Sequence, residues 1–179
     1  NTPLLYNISG ACHKALGQLD EAVKCYEQAI AIKPDYSDAH NNLGITLKNL
    51  GQLDAAVKCY EQAIAIKPNY ADAHNHLGIT LNDLGQLDAA VKCYEQAIAI
   101  KPDYADAHNR LGITLNDLGQ LDAAVKCYEQ ALAIKPNYVE AHNNFGIALK
   151  GLGQLDAAVK SYEKVIAIKP DYADAHYNL

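Results

Sequence analysis

A 34-residue period is the feature that most constrains the fold of this 179-residue chain. Ser37–Tyr70 and the segment that follows it, Ala71–Tyr104, differ at only five of 34 positions. The period divides the chain into five copies and a partial sixth, at residues 3–36, 37–70, 71–104, 105–138, 139–172 and 173–179. Because no linker separates the copies, the sequence predicts a single repeat array over residues 1–179.

Each copy has the pattern of two helices. In the second copy, apolar or small residues recur at helical spacing between Ala39 and Leu50, and again between Leu53 and Ile64. The β-branched residues fall inside these 3.6-residue patterns, so no strand signal competes with them. The sequence therefore predicts an all-α fold, in which one helix pair alone cannot bury its apolar stripe and the copies must stack.

The ends of the helices are also marked in the sequence. Asp35 and Asp38 have the spacing of a capping box, which predicts that the first helix begins there. Gly51 stands where a C-terminal glycine cap would end the first helix. Pro68 follows the second apolar stretch and cannot continue its helix.

At these positions the copies resemble the tetratricopeptide repeat (TPR) family. The motif residues of the second copy are His40, Leu43, Gly44, Leu47, Ala56, Tyr60 and Pro68. Ser9 and His13 replace the two leucines in the first copy, and histidine stands where the family often has tryptophan or tyrosine. The resemblance implies a TPR solenoid, a right-handed superhelix of stacked antiparallel helix pairs. The wording of the copies is also similar to the repeat arrays of O-linked N-acetylglucosamine transferases and of bacterial TPR-containing transferases.

The tyrosines of the second helices form a column with one member in each copy. Its members are Tyr26, Tyr60, Tyr94, Tyr128 and Tyr162. We interpret the column as core packing, with each hydroxyl near the rim of the core.

Composition excludes several classes of function. Fifteen basic and 21 acidic residues give a net charge of −6, which argues against non-specific binding to nucleic acid or to anionic membranes. No apolar run approaches the ~20 residues of a membrane span. The chain has five cysteines without a C-x-x-C pair and no signal-peptide pattern, which favours reduced thiols and a cytoplasmic location. It contains no methionine, so we expect it to be a fragment.

The sequence offers no catalytic or metal-binding constellation. None of its three serines, Ser9, Ser37 and Ser161, lies in a nucleophile-elbow context, and no phosphate-binding loop motif is present. Asp38 and His40 recur as a pair, but residues two apart on a helix point to different faces and cannot chelate one ion together. We therefore predict no enzyme activity, no metal and no cofactor.

Asparagine recurs on the first helix of every copy. The ladder slot holds Asn7, Asn41, Asn75, Asn109 and Asn143. The adjacent slot, one residue further on, holds Asn42, His76, Arg110, Asn144 and Asn178. Both slots lie opposite the apolar stripe of their own helix, on the face that would line the groove of a TPR solenoid. We expect this face to be exposed.

An amide group both donates and accepts hydrogen bonds, so a ladder of amides can pair with the backbone of an extended peptide. The alternative is that asparagine merely solvates an exposed helix face, although alanine or glutamate would form a better helix there. The charged residues predicted to share the groove are Lys48, Asp72, Asp83, Asp106 and Asp117. With Arg110 as the one central cation of the adjacent slot, the groove favours a polar segment with basic side chains at its middle.

Two functions follow from this pattern. The first is a protein–protein interaction scaffold that binds an extended polar peptide segment in its concave groove. The second is the substrate-presenting segment of a larger transferase whose catalytic domain is absent here. Terminal repeats without a polar cap expose apolar surface, so we also expect head-to-tail self-association.

Overall fold

The structure is a computed structural model that describes residues 2–179. This part of the chain forms eleven helices and no strand, and 79% of the chain is helical, which confirms the predicted all-α class. The helices are α1 (Pro3–Ala15), α2 (Leu19–Ile32), α3 (Ser37–Asn49), α4 (Leu53–Ile66), α5 (Ala71–Asp83), α6 (Leu87–Ile100), α7 (Ala105–Asp117), α8 (Leu121–Ile134), α9 (Val139–Gly151), α10 (Leu155–Ile168) and α11 (Ala173–Asn178).

The helices divide into two compact units. Unit 1 extends to Ile100 and contains α1–α6, and unit 2 begins at Lys101 and contains α7–α11. Within each unit the two helices of a copy pack as an αα-hairpin, and each second helix also packs on the first helix of the next copy. Successive first helices contact one another as well. The stacking of helix pairs expected from the sequence is therefore present inside each unit.

A glycine and a tyrosine hold each hairpin together. A Cβ atom added to Gly44 would lie 2.6 Å from the Cε1 of Tyr60, and a Cβ atom added to Gly146 would lie 2.5 Å from the Cε1 of Tyr162. Only a residue without a side chain lets the ring lie flat against the first helix. The five column tyrosines are at most 1% exposed, which confirms the core interpretation. Their hydroxyls were expected near the rim, and this detail is wrong, because those of Tyr26 and Tyr162 are fully buried without a hydrogen-bond partner.

The first helices end as predicted but begin differently. Gly51 has a φ of +76°, and Gln52 donates its N–H to the Leu47 carbonyl at 2.9 Å, which is the bond pattern of a Schellman cap. The predicted capping box of Asp35 and Asp38 is wrong. Tyr36 is the N-cap of α3, and no side chain caps the helix.

The histidine column fixes the junction between copies. In every copy from the second onward, the histidine Nε2 lies 2.7–3.0 Å from the proline carbonyl six residues earlier. The column consists of His40, His74, His108, His142 and His176. Within each unit, this contact ties the start of a first helix to the proline segment just before it.

Among residues 2–179, no helix combines the length and the apolar character needed to cross a bilayer.

Candidate peptide-binding site

The ladder amides lie between first helices. Asn41, Asn75, Asn109 and Asn143 are only 3–6% exposed, so the expectation that the ladder slot forms an open, solvated face is wrong. The physical reason is packing between copies. Within unit 1, α3 contacts both α1 and α5, and within unit 2, α7 contacts α9. A pattern read within one copy does not include this contact.

In unit 1, the adjacent slots of the second and third copies donate to the ladder slots of the copies before them. Asn42 donates from Nδ2 to the Oδ1 of Asn7 at 3.0 Å. His76 Nδ1 lies 3.0 Å from the Oδ1 of Asn41, and because an amide oxygen can only accept, Nδ1 carries the proton in this contact. Asn7 in turn donates to the hydroxyl of Tyr36 at 3.4 Å. The predicted groove residues of this unit therefore bind one another.

His76 is packed as well as hydrogen-bonded. Its ring lies 5.8 Å from that of Tyr60, with an angle of 36° between the planes. Burial lowers the pKa of His76, and the nearby carboxylate of Asp72 opposes this shift only in part. The imidazole is therefore neutral at physiological pH. It acts as a hydrogen-bond donor to the ladder and not as a charge.

Lys48 and Asp83, two of the charges predicted for the groove, lie near the C-terminal ends of α3 and α5 and pair with each other. Lys48 Nζ lies 2.9 Å from the Oδ2 of Asp83, and the two side chains are 29% and 42% exposed. The ion pair connects α3 to α5 beside the ladder. Asp72, the remaining charge predicted for the groove in unit 1, is exposed in the first turn of α5.

Unit 2 contains a polar pocket of about 500 Å³ on the same face. Its lining residues are Asp106, Asn109, Arg110, Ile113, Lys135, Tyr138, Glu140, Asn143, Asn144, Tyr172 and Asp174. Five of these were predicted as groove residues. A smaller hollow of about 180 Å³ contains the predicted Asp117 together with Asn144. The structure thus brings the predicted residues of unit 2 together around two hollows that share Asn144.

One side of this pocket is internally satisfied. Asn144 donates to the Oδ1 of Asn109 at 3.3 Å, and Asn109 donates to the Tyr138 hydroxyl at 3.5 Å. Burial, followed by a hydrogen bond to Asp106, raises the pKa of Tyr138 to about 12, so its hydroxyl stays protonated and donates to that carboxylate. Lys135 Nζ lies 4.3 Å from the centroid of the same tyrosine ring.

The other side of the pocket has unused hydrogen-bonding groups. The Oδ1 of Asn143 is buried and has no hydrogen-bond partner among residues 2–179. Asn178 occupies the slot from which Asn42 and Asn144 donate in the other pairs, but it makes no such bond to Asn143. Arg110 is exposed, and within unit 2 its guanidinium forms no ion pair. A buried acceptor and an unpaired donor therefore line the same concavity.

The tyrosines and charges at the ends of the copies were not predicted as site residues. Lys135, Tyr138, Tyr172 and Asp174 belong to this group. A signal for them was present, because Lys-Pro-x-Tyr recurs at the end of every copy, from Lys33 onward. The proline of this motif indicates a helix stop, and the tyrosine at a fixed place in each junction is in addition a repeated feature that indicates a shared role.

Comparisons with known proteins agree with this architecture. A family profile described as "TPR repeat" matches residues 13–51, 46–81, 80–116, 114–153 and 149–179. No curated protein sequence matches the chain significantly.

Several solved structures have the same fold. A structure of MamA is 27% identical, with a TM-score of 0.83 over 92% of this chain and 96% of the other. A MamA fragment from Desulfovibrio magneticus RS-1 is 21% identical, with a TM-score of 0.85 over 96% and 97% of the two chains. YrrB, a TPR protein with an unusual peptide-binding site, is 21% identical, with a TM-score of 0.80 over 96% and 89%.

The matched repeats cover most of the chain, and the helix pairs, the glycine–tyrosine contacts and the structural neighbours agree with them. Stacked repeats of this kind are scaffolds for protein–protein interaction. The chain belongs to the tetratricopeptide repeat family.

Proposed function

We propose that the polar pocket of unit 2 binds an extended polypeptide segment of a protein partner. The observation that carries this proposal is the pairing of an unused acceptor with an unused donor, the Oδ1 of Asn143 and the guanidinium of Arg110. An extended peptide backbone presents both an N–H and a C=O group at each residue, so it complements both. The peptide-binding site of YrrB is in keeping with this use of the shared fold.

Burial makes the Asn143 acceptor favourable for binding. A buried acceptor without a partner costs free energy, and a ligand N–H recovers that cost when the Asn143 side chain turns its oxygen towards the pocket. Each such bond contributes only about 0.5–1.5 kcal/mol net, so we expect modest affinity. The pocket contains three carboxylates, on Asp106, Glu140 and Asp174, against the two cations of Arg110 and Lys135. Basic side chains in the segment are therefore favoured at the acidic side.

Peptide selection followed by a binding measurement tests the proposal. A phage-displayed library of unstructured peptides is enriched on the protein, and the selected sequences are synthesised with a fluorophore and measured by fluorescence polarisation. We expect Asn143→Ala and Arg110→Gln each to weaken binding about threefold to tenfold, the equivalent of one lost hydrogen bond. Lys126→Gln removes a cation from the exposed side of α8 and should change nothing. Equal affinity for all four proteins would contradict the proposal.

The same proposal assigns a binding role and no catalysis to this segment. It also places the protein in the cytoplasm, where its five thiols would remain reduced. Thiol titration of protein that is denatured directly from its cells should find five free thiols. A smaller number would argue against a reducing compartment.

We further propose head-to-tail self-association through the outer face of α1. Leu4, Leu5 and Ile8 are 56%, 60% and 49% exposed, whereas Ala39, the counterpart of Leu5 in the second copy, is fully buried. This face is thus where a preceding second helix would pack, and exposed apolar surface on α10, including Leu155, offers such a helix.

Sedimentation velocity over a range of concentrations tests this association. We expect a concentration-dependent increase in mass that Leu5→Glu with Ile8→Glu abolishes. Ile32→Glu changes a residue of similar exposure at the end of α2 and should leave the association intact. A monomer at every concentration would contradict this second proposal.

A further inference from the structure

The polar pocket of unit 2 has an asymmetric distribution of charge. It extends over three successive first helices, with Arg110 on α7, Asn143 on α9 and Asp174 on α11. Glu140, in the first turn of α9, lies on the middle helix, and its charge acts on both Tyr138 and Tyr172. Arg110 and Asp174 are therefore at opposite ends of the pocket, with Glu140 and the unused acceptor of Asn143 between them.

The remaining charges of the pocket are already engaged. The Asp106 carboxylate accepts a hydrogen bond from Tyr138, and Lys135 lies over the ring of the same tyrosine. Neither group is as available to a ligand as Arg110 or Asp174. Both of these residues are exposed, and neither forms an ion pair with another residue of unit 2. The charges that a ligand meets are thus positive at α7 and negative at α11.

The spacing of the helices sets the spacing of complementary charges on a ligand. Packed helices lie roughly 8–10 Å apart, so α7 and α11, which are two steps apart, are separated by roughly 16–20 Å. An extended chain rises about 3.3 Å per residue. About five or six residues of an extended segment therefore cover the distance from Arg110 to Asp174.

We propose that this pocket recognises a dipolar segment, with an acidic and a basic residue five or six positions apart. The acidic side chain lies at Arg110, the basic side chain lies at Asp174, and a backbone N–H between them donates to the Oδ1 of Asn143. This inference rests on the proposed peptide-binding function and adds the charge pattern of the partner.

Synthetic peptides of defined charge test the pattern. The probes are fluorescent ten-residue peptides of serine, threonine and glycine with blocked ends, and they carry Glu and Lys six positions apart, Glu and Lys two positions apart, or Gln at both charged positions. We expect the first peptide to bind about fivefold tighter than the Gln peptide, because each exposed ion pair contributes a factor of about 1.4 to 5. The peptide with the short spacing should lose at least half of this gain, and high salt should reduce it.

Variants assign each preference to its residue. In Arg110→Gln, replacing Glu by Gln in the peptide should no longer weaken binding, and in Asp174→Asn the same should hold for replacing Lys. Lys126→Gln and Asp122→Asn are the controls at exposed positions of α8. They change the net charge by the same amounts as Arg110→Gln and Asp174→Asn, and both should retain both preferences. If all three peptides bind the protein equally, the dipolar inference is overturned and the proposed function stands. If none of them binds and the selected library peptides do not bind either, the proposed function itself fails.

Discussion

Units 1 and 2 have the same scaffold but differ in the groups that line it. In both, a first-helix glycine receives the ring of a second-helix tyrosine, and the first helices end at a glycine with positive φ. In unit 1 the ladder oxygens of Asn7 and Asn41 each accept a hydrogen bond from the next copy. In unit 2, Asn109 does so but Asn143 does not. The same packing therefore supports ladder positions that differ in their capacity for a ligand.

The difference comes from a few residues outside the packing stripe. Unit 1 has His76 in the adjacent slot and the Lys48–Asp83 ion pair beside it, and these side chains use each other's hydrogen-bonding groups. In unit 2, the positions aligned with His76 hold Arg110 and Asn144, and those aligned with Asp83 hold Asp117 and Gly151. A repeat array can therefore change from a closed to an open surface without any change in its core.

The largest effect is expected where the two units are the same. Gly44→Ala in unit 1 and Gly146→Ala in unit 2 each place a Cβ within 2.6 Å of a buried tyrosine ring. We expect overpacking to lower the free energy of unfolding by about 1–3 kcal/mol in each unit, less the roughly 1 kcal/mol that alanine gains in helix propensity. Urea unfolding followed by circular dichroism measures both variants.

Ala65→Gly, at an exposed position of α4, is the control for propensity alone. It should lower stability by about 1 kcal/mol without changing any contact. If Gly44→Ala is stabilising while Gly146→Ala is destabilising, the scaffolds of the two units are not equivalent and the comparison fails at its base.

The shared scaffold is also the part that could be predicted from the sequence. The helices of every copy, the positive φ at Gly51 and the core position of Tyr60 all follow from local spacing and from residue type. These properties depend on contacts within one copy. The same 34-residue pattern then repeats them along the chain.

The state of the ladder could not be predicted, because it depends on contacts between copies. Asn41 is opposite the apolar stripe of its own helix, yet its neighbours α1 and α5 bury it. The bond from His76 and the Lys48–Asp83 pair each connect residues 35 positions apart. Their formation depends on the offset between stacked helices, which the pattern of a single copy does not contain.

The second prediction compares two asparagines in the same slot. Asn41→Ala removes the acceptor of His76 and leaves a half-buried N–H without a partner, so we expect a loss of about 1–2 kcal/mol in the free energy of unfolding. Asn143→Ala removes an acceptor that has no partner, and we expect a change within about 0.5 kcal/mol or a small gain. Equal losses measured by urea unfolding would show that the two ladder positions do not differ.

The third prediction uses the imidazole of His76, which donates to the unit 1 ladder and is influenced by the charges of Asp72, Lys14 and Lys48. Burial lowers the pKa of His76 below its ordinary value of 6.5, so below that pH the unfolded chain binds a proton more readily than the folded chain does. His76 therefore leaves the free energy of unfolding independent of pH above about pH 6.5. Below that pH the free energy of unfolding decreases as the pH falls, by at most about 1.4 kcal/mol per pH unit.

His76→Asn places in this slot the residue found in the second and fifth copies, which does not titrate. We expect the difference in unfolding free energy between the two proteins to be constant above pH 7 and to shift in favour of the variant at pH 5. Arg110→Asn in unit 2 is the control, because arginine keeps its charge over this range and should show no such change. A difference that does not depend on pH would mean that His76 is not buried as a neutral group.

The smallest effect is expected from the ion pair that closes the far end of the unit 1 ladder. Lys48 and Asp83 are 29% and 42% exposed, so solvent screens their attraction, and we expect a coupling of about 0.2–1 kcal/mol. A double-mutant cycle with Lys48→Met and Asp83→Asn isolates this coupling from other effects of each substitution. The coupling should decrease as the salt concentration rises from about 0.05 M to about 0.5 M, because the Debye length falls severalfold over that range.

If the pair also keeps the groove closed, breaking it should give unit 1 a measurable affinity for the Glu/Lys peptide that unit 2 binds. A coupling near zero together with no new binding would show that the closure of unit 1 depends on the hydrogen bonds of the ladder and not on this charge pair.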